Sequence, residues 1–166
     1  GRLLDEQGNL AEAGYATSLV KAYSRDRVKA SALRIKEWDY YLIHNDRFGV
    51  ALTVADNSYM GLVSISFLDF VRGTEVTKSP MLLLPMGRLH MPSTSEEGDV
   101  RAGGRGWNFH FEKQKDRRIL RASMENFSQG KPIRLKVELD REPQESMVIA
   151  TPFERKRAFY YNQKII

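Results

Sequence analysis

The chain has 166 residues, enough for one domain with a sizeable core. Charged residues at 28% and hydrophobic ones at 42% exclude a disordered chain, and the lack of any cysteine excludes disulfides, a thiolate nucleophile and thiolate-held metal. The net charge of +5 comes from basic residues interleaved with acids, which reads as a solubilising margin rather than a polyanion-binding arm.

Taken in order, residues 1–32 read as an irregular lead-in. Asp5-Glu6-Gln7-Gly8-Asn9 is a turn with leucines on either side, and Gly14 to Tyr23 shows no periodicity. Ser24 is placed to cap a short helix over Arg25–Leu33, although no acid follows at the capping-box position. The period then changes to two. Glu37–His44, Arg47–Ala55 and Tyr59–Phe70 are three β-prone runs joined by short polar turns, an antiparallel meander. Both faces of the last two runs are mostly apolar or small, which predicts the most buried sheet of the domain. Glu75–Leu84 is a fourth strand, with Pro80 placing it at an edge or bulge. Pro92–Gly98 is a surface loop by composition.

The second half resumes short strands. Trp107, Phe109 and Phe111 share one face, Arg118–Met124 returns, and Ile133 to Leu139 alternates strictly with charged residues, the pattern of a strand wet on one side. Ser146–Ala150 and Ala158–Asn162 add two more. Nine or ten short strands with at most one short helix predict an all-β, antiparallel barrel or sandwich. The Ala158–Gln163 strand carries rings on both faces, so we expect it to close a sheet or bridge to a further domain. The longest apolar piece, Met81–Leu84, is too short to span a membrane, and residues 1–14 show no signal-peptide core. We therefore expect a cytoplasmic protein.

No constellation compels a reaction. His44, His90 and His110 are scattered without metal-ligand spacing. Glu37 and Asp39 share a strand face, and Asp69 sits between Leu68 and Phe70, where a carboxylate needs a partner. Lys113–Arg118 is a basic turn beside aromatics, which we read as a wet turn rather than a nucleic-acid platform. Gly103-Gly104-Arg105-Gly106 lacks the strand–helix context of a dinucleotide site and reads as a hairpin bend. We assign no catalytic residue, metal or cofactor.

Ile35–Tyr41, Ala55–Gly61, Ser66–Phe70, Ser95–Asp99, Met147–Phe153 and Phe159–Lys164 together resemble an uncharacterised family, domain of unknown function 2804. The resemblance implies that residues 1–166 are one β domain, the amino-terminal half of a protein whose second β domain follows. It also implies a lipocalin-like barrel or sandwich, distantly similar to two-domain proteins that include carotenoid 1,2-hydratase. The motifs of that enzyme have no counterpart here.

The remaining signal is large apolar side chains at alternating positions. Trp38, Tyr40, Phe67, Trp107, Phe109, Phe111 and Tyr160, with Met124, either line a cavity or fill a sandwich core. On this pattern the expected activity is binding of a lipophilic or amphipathic small molecule. Two alternatives stay open: a hydratase- or lyase-like fragment with its active site in the second half, and a structural or protein-docking module. Self-association follows if an apolar face is left bare.

Overall fold

The period-two runs form the strands that the pattern predicts, and the computed structural model describes residues 1–166 throughout. A first sheet is built from β2 (Glu37–His44), β3 (Phe48–Asp56), β4 (Met60–Asp69), β5 (Thr74–Lys78) and β6 (Met81–Leu83). The last two both pair with β4, one after the other along its length. Pro80 explains the division. It cannot donate to the ladder, so the expected fourth strand breaks there and only its carbonyl serves, accepting from the Val63 N–H.

A second sheet has the order β10 (Lys131–Leu139), β9 (Arg118–Ser128), β8 (Trp107–Lys113), β7 (Val100–Gly104), every pair antiparallel. The two sheets bury their inner faces against each other. Leu52, Val54, Val63 and Ile65 of the first meet Phe109, Phe111, Leu120, Ala122 and Met124 of the second in one continuous core. Phe111 stands edge-on to Tyr41 at 5.0 Å between ring centroids and to Phe109 at 6.2 Å. The domain is thus a sandwich and not a closed barrel, because the two sheets meet face to face and no strand ladder joins their edges.

A third sheet corrects the reading of the lead-in. β1 (Gly14–Ala16) pairs with β11 (Met147–Pro152), which pairs with β12 (Phe159–Lys164). Leu3 and Leu4 are buried beneath it with Ala150, Phe159 and Tyr161 as a small second core. Residues 1–32 are therefore tied to the end of the chain by packing, which no local period could signal. Twelve strands replace the nine or ten expected, the extra ones being short. The expected helix over Arg25–Leu33 is two separate 3-10 turns, Arg25–Arg27 and Ala32–Arg34. Ser24 makes no side-chain capping bond, and Val28 leaves the turn in extended backbone to pack on the second core.

Candidate functional site: the outer face of the first sheet

Side chains opposite one another across an antiparallel ladder lie on the same face. Trp38, Tyr40 and Leu42 of β2 therefore share a face with Ala55, Thr53 and Ala51 of β3 and, beyond them, Leu62, Ser64 and Ser66 of β4. This is the face turned away from the core. The three large side chains are 40%, 55% and 47% exposed and form a ridge along the edge strand. The floor beside them is made of small residues except for Leu62, and Met81 and Thr77 rise on its far side. With strands ~4.8 Å apart, ridge and far wall stand ~14 Å from each other across a shallow trough.

The trough is less polar than its composition suggests. The Ser64 and Ser79 hydroxyls bond each other at 2.8 Å, and Thr77 donates to Ser66 at 2.8 Å. Hydroxyls already paired cost less to take out of water. Past Trp38, the Tyr160 ring lies at 5.8 Å and carries the apolar surface onto the third sheet. There Tyr15, Met147, Ile149 and Pro152 line an open apolar depression.

The opposite side of the sandwich is different in kind. The outer face of the second sheet bears Asp99 held by His110 at 2.9 Å and Arg101 at 3.0 Å, Glu112 paired with Arg121, and Arg134 paired with Glu125. The His110 bond holds the Asp99 carboxyl below the usual range, and bonds from Gln114, at 2.7 Å, and then Arg121 do the same for Glu112. One outer face is built for water and the other is not.

Of the seven candidate ligand-binding aromatics, Trp38, Tyr40 and Tyr160 lie on the outer apolar surface. Phe109 and Phe111 are core side chains, 1% and 2% exposed, with Trp107 packed against the same core. Phe67 points inward near the sheet end and stacks on Phe48 at 5.9 Å. Met124 is buried in the core. The seven do not converge on one cavity.

Two buried polar clusters were hidden in the sequence. On the inner face of β2, Glu37 and Asp39 do share a face, as their spacing requires, but each has its own partner. Glu37 pairs with Arg25 and accepts from the Tyr23 hydroxyl at 2.6 Å. Burial, reinforced by that bond, pushes the Tyr23 pKa far up. Arg25 also reaches Ser58, whose hydroxyl donates to the Ile35 carbonyl at 2.7 Å. Buried Asp56 accepts from the Ser58 N–H at 3.0 Å. These bonds fix the β3–β4 turn against the lead-in.

Asp39 faces the second cluster. Arg118, its side chain 8% exposed, donates from Nη1 to the Tyr41 hydroxyl at 2.7 Å, from Nε to Glu142 at 3.0 Å and from Nη2 to the Ser95 carbonyl at 2.5 Å. Lys113 reaches the other Glu142 oxygen at 3.1 Å and the Gln114 carbonyl at 3.0 Å. Burial raises the Asp39 pKa, opposed by the Arg118 charge and a hydrogen bond from Tyr41. Burial, reinforced by the Asp39 charge, likewise pushes Tyr41 up, so the phenol stays protonated. The cations of this cluster are spent on the fold, binding β2, β8, β9 and the 92–98 and 140–146 loops together. The basic turn thus points two of its cations inward rather than toward an anionic partner.

The other sequence candidates have local roles. Asp69 is a turn former, accepting from the Val71 and Arg72 N–H groups at 3.1 and 2.9 Å. Gly103 and Gly104 end β7, paired with Asn108 and Trp107, and Arg105-Gly106 make the hairpin bend into β8. His44, His90 and His110 lie on the first sheet's outer face, in the 85–90 turns and on the second sheet's outer face respectively. No helix is long and apolar enough to cross a membrane.

No curated protein and no solved structure matches the chain. The model of a family described as a domain of unknown function (DUF2804) matches residues 1–166. The segments that carry the resemblance meet in the structure: Glu37, Asp39 and Tyr41 from one, Asp56 and Ser58 from another, and Ser95, which bonds Gln163 at 2.6 Å. The chain belongs to the DUF2804 family.

Proposed function

We propose that this domain binds a lipophilic or amphipathic small molecule, and that the ligand lies in the trough on the outer face of the first sheet. The observation that carries the reading is the ridge of Trp38, Tyr40 and Leu42 standing exposed beside a floor of Ala51, Thr53, Ala55, Ser64 and Ser66. Large amphipathic rings beside a small-residue floor suit an extended chain or flat ring system, with the phenol of Tyr40 able to bond a polar end. The interior offers less support, since Phe109 and Phe111 pack on each other and on Tyr41. The sequence resemblance to lipocalin-like proteins supports such a ligand by analogy.

The two tryptophans make the test direct. Trp38 lies on the trough and Trp107 packs against the core. Titration with a brominated fatty acid should quench Trp38 emission saturably in a Trp107→Phe variant and leave Trp107 emission unchanged in a Trp38→Phe variant. Thr53→Arg, which lays a long charged side chain across the floor, should abolish saturable quenching without lowering the melting temperature. Saturable quenching that survives Thr53→Arg, or none at all, refutes the reading.

A further inference from the structure

The order of residues across the trough has a property that ligand binding does not require. Reading from the β2 edge to the opposite edge, four rows cross the sheet. They run from His44 to Glu75, from Leu42 to Thr77, from Tyr40 to Ser79 and from Trp38 to Met81. His44 and Glu75 are exposed at the two ends of one row, and every other side chain in the four rows is uncharged. A two-fold axis parallel to the strands lays each row on its own reverse. His44 of one copy then meets Glu75 of the other, twice, and each ridge stands over the facing edge, Leu42 over Thr77, Tyr40 over Ser79 and Trp38 over Met81. Stacked sheets lie ~10 Å apart, a gap that tryptophan, tyrosine and leucine help to fill and that facing alanines and serines do not. A face that carries a ridge at one edge, a floor beside it, and an imidazole and a carboxylate at the two ends of one row is self-complementary.

We propose that a second copy of this chain covers the outer face of the first sheet through this two-fold arrangement. The pairing rests on the order of the rows and not on the ligand reading. It is compatible with that reading, because Ala51 and Thr53 opposite Ser66 and Ser64 leave a slot in the middle of the interface. The ridge of each copy closes one side of the slot.

Sedimentation equilibrium of the chain without ligand tests the proposal. A concentration-dependent dimer is expected, and Leu42→Glu should render it monomeric while leaving the melting temperature of the monomer unchanged. His44→Glu sets two carboxylates together, and Glu75→Lys takes away the carboxylate that accepts from the imidazole. Each should weaken the dimer by about tenfold, and the double variant should return it to within about threefold of the parent. A chain that stays monomeric overturns the proposal and leaves the face to another partner. So does a dimer indifferent to Leu42→Glu, or a double variant no tighter than either single one. No ligand enters these measurements, so their failure and the failure of the quenching titration are separate results.

Discussion

Arg118→Met exposes how much of the fold depends on the clasp at the end of the core. The substitution keeps the length and apolar stem of the side chain but removes its donors to Tyr41, Glu142 and the Ser95 carbonyl. Breaking a buried ion pair from one side costs about 3–5 kcal/mol, because the partner is left charged and unpaired. Glu142 keeps Lys113 at 3.1 Å, and its side chain is already 26% exposed, so it can turn toward water. The lower end, about 3 kcal/mol, is therefore expected. For a chain of this size that corresponds to a fall in melting temperature of about 6–12 °C. The loss should also depend on pH in a definite direction. Glu142 has a lowered carboxyl, so its contribution is present at neutral pH and fades as pH falls through its folded pKa. Asp39 has a raised one, and losing the Arg118 charge raises it further, a penalty that exists only where the carboxyl would otherwise ionise. Both effects make the deficit largest near neutrality and smaller in acid. Urea denaturation at several pH values, with Glu142→Gln and the double variant completing a cycle, measures this. A single variant within about 0.5 kcal/mol of the parent at neutral pH would show that the clasp holds nothing, since that is the scatter of ordinary surface substitutions.

Two further perturbations follow from the same geometry. Asp39→Asn removes a carboxyl whose folded pKa is raised, so the parent loses stability as pH rises through that pKa and the variant does not. Melting curves should show the variant gaining on the parent toward neutral pH and matching it in acid, where the parent carboxyl is protonated. Gly87→Ala and Gly73→Ala separate backbone strain from packing. Both have positive φ, +86° and +64°, but a Cβ on Gly87 would lie 2.8 Å from the Arg25 guanidinium, whereas one on Gly73 would meet nothing within 4 Å. Chemical denaturation should give about 1 kcal/mol for Gly73 and clearly more for Gly87, through the displaced Arg25–Glu37 pair.

The strands of the meander and of the second sheet were legible because their period was unambiguous. β10 alternates Ile133, Leu135, Val137 and Leu139 with charged residues, and these apolar side chains face the core. β2 was legible as a strand but not in its orientation. Both its faces carry rings and aliphatic groups, so the period fixes which residues go together and not which set goes inside. What decides the matter is Arg118, which lies 77 residues from Tyr41 and meets it only after the second sheet has folded. The lead-in failed for a related reason. Leu3 and Leu4 are buried by β11 and β12, at the other end of the chain, and two isolated leucines in a polar stretch carry no signal of that. The division of the seven aromatics between core and outer surface had the same cause, since alternation alone does not distinguish a wall from a filling.

The orientation of β2 is the strongest physical sign that its outer face has work to do. Turned over, the strand would bury Trp38, Tyr40 and Leu42 in place of Tyr41 and Ile43 and give Glu37 and Asp39 to water, which leaves the inner face with one more large apolar side chain and two fewer acids. Fully burying a side chain of that size is worth about 1.5–3 kcal/mol, and the exchange sets three half-exposed side chains against Tyr41 and Ile43, so the observed orientation forgoes at most about the burial of one. It also brings two carboxylates into the protein, which must then be matched by Tyr23 and Arg25 for one and Arg118 for the other. Asp39 stays imperfectly matched, as its raised pKa records. Inward-pointing acids on an edge strand discourage the random edge-to-edge pairing that a flat strand invites, and this accounts for part of the cost. It does not account for three large apolar side chains held outward in a row. A partner or ligand that buries them recovers the free energy that folding leaves unused, and the second sheet, whose outer face is covered with paired charges, offers no such gain.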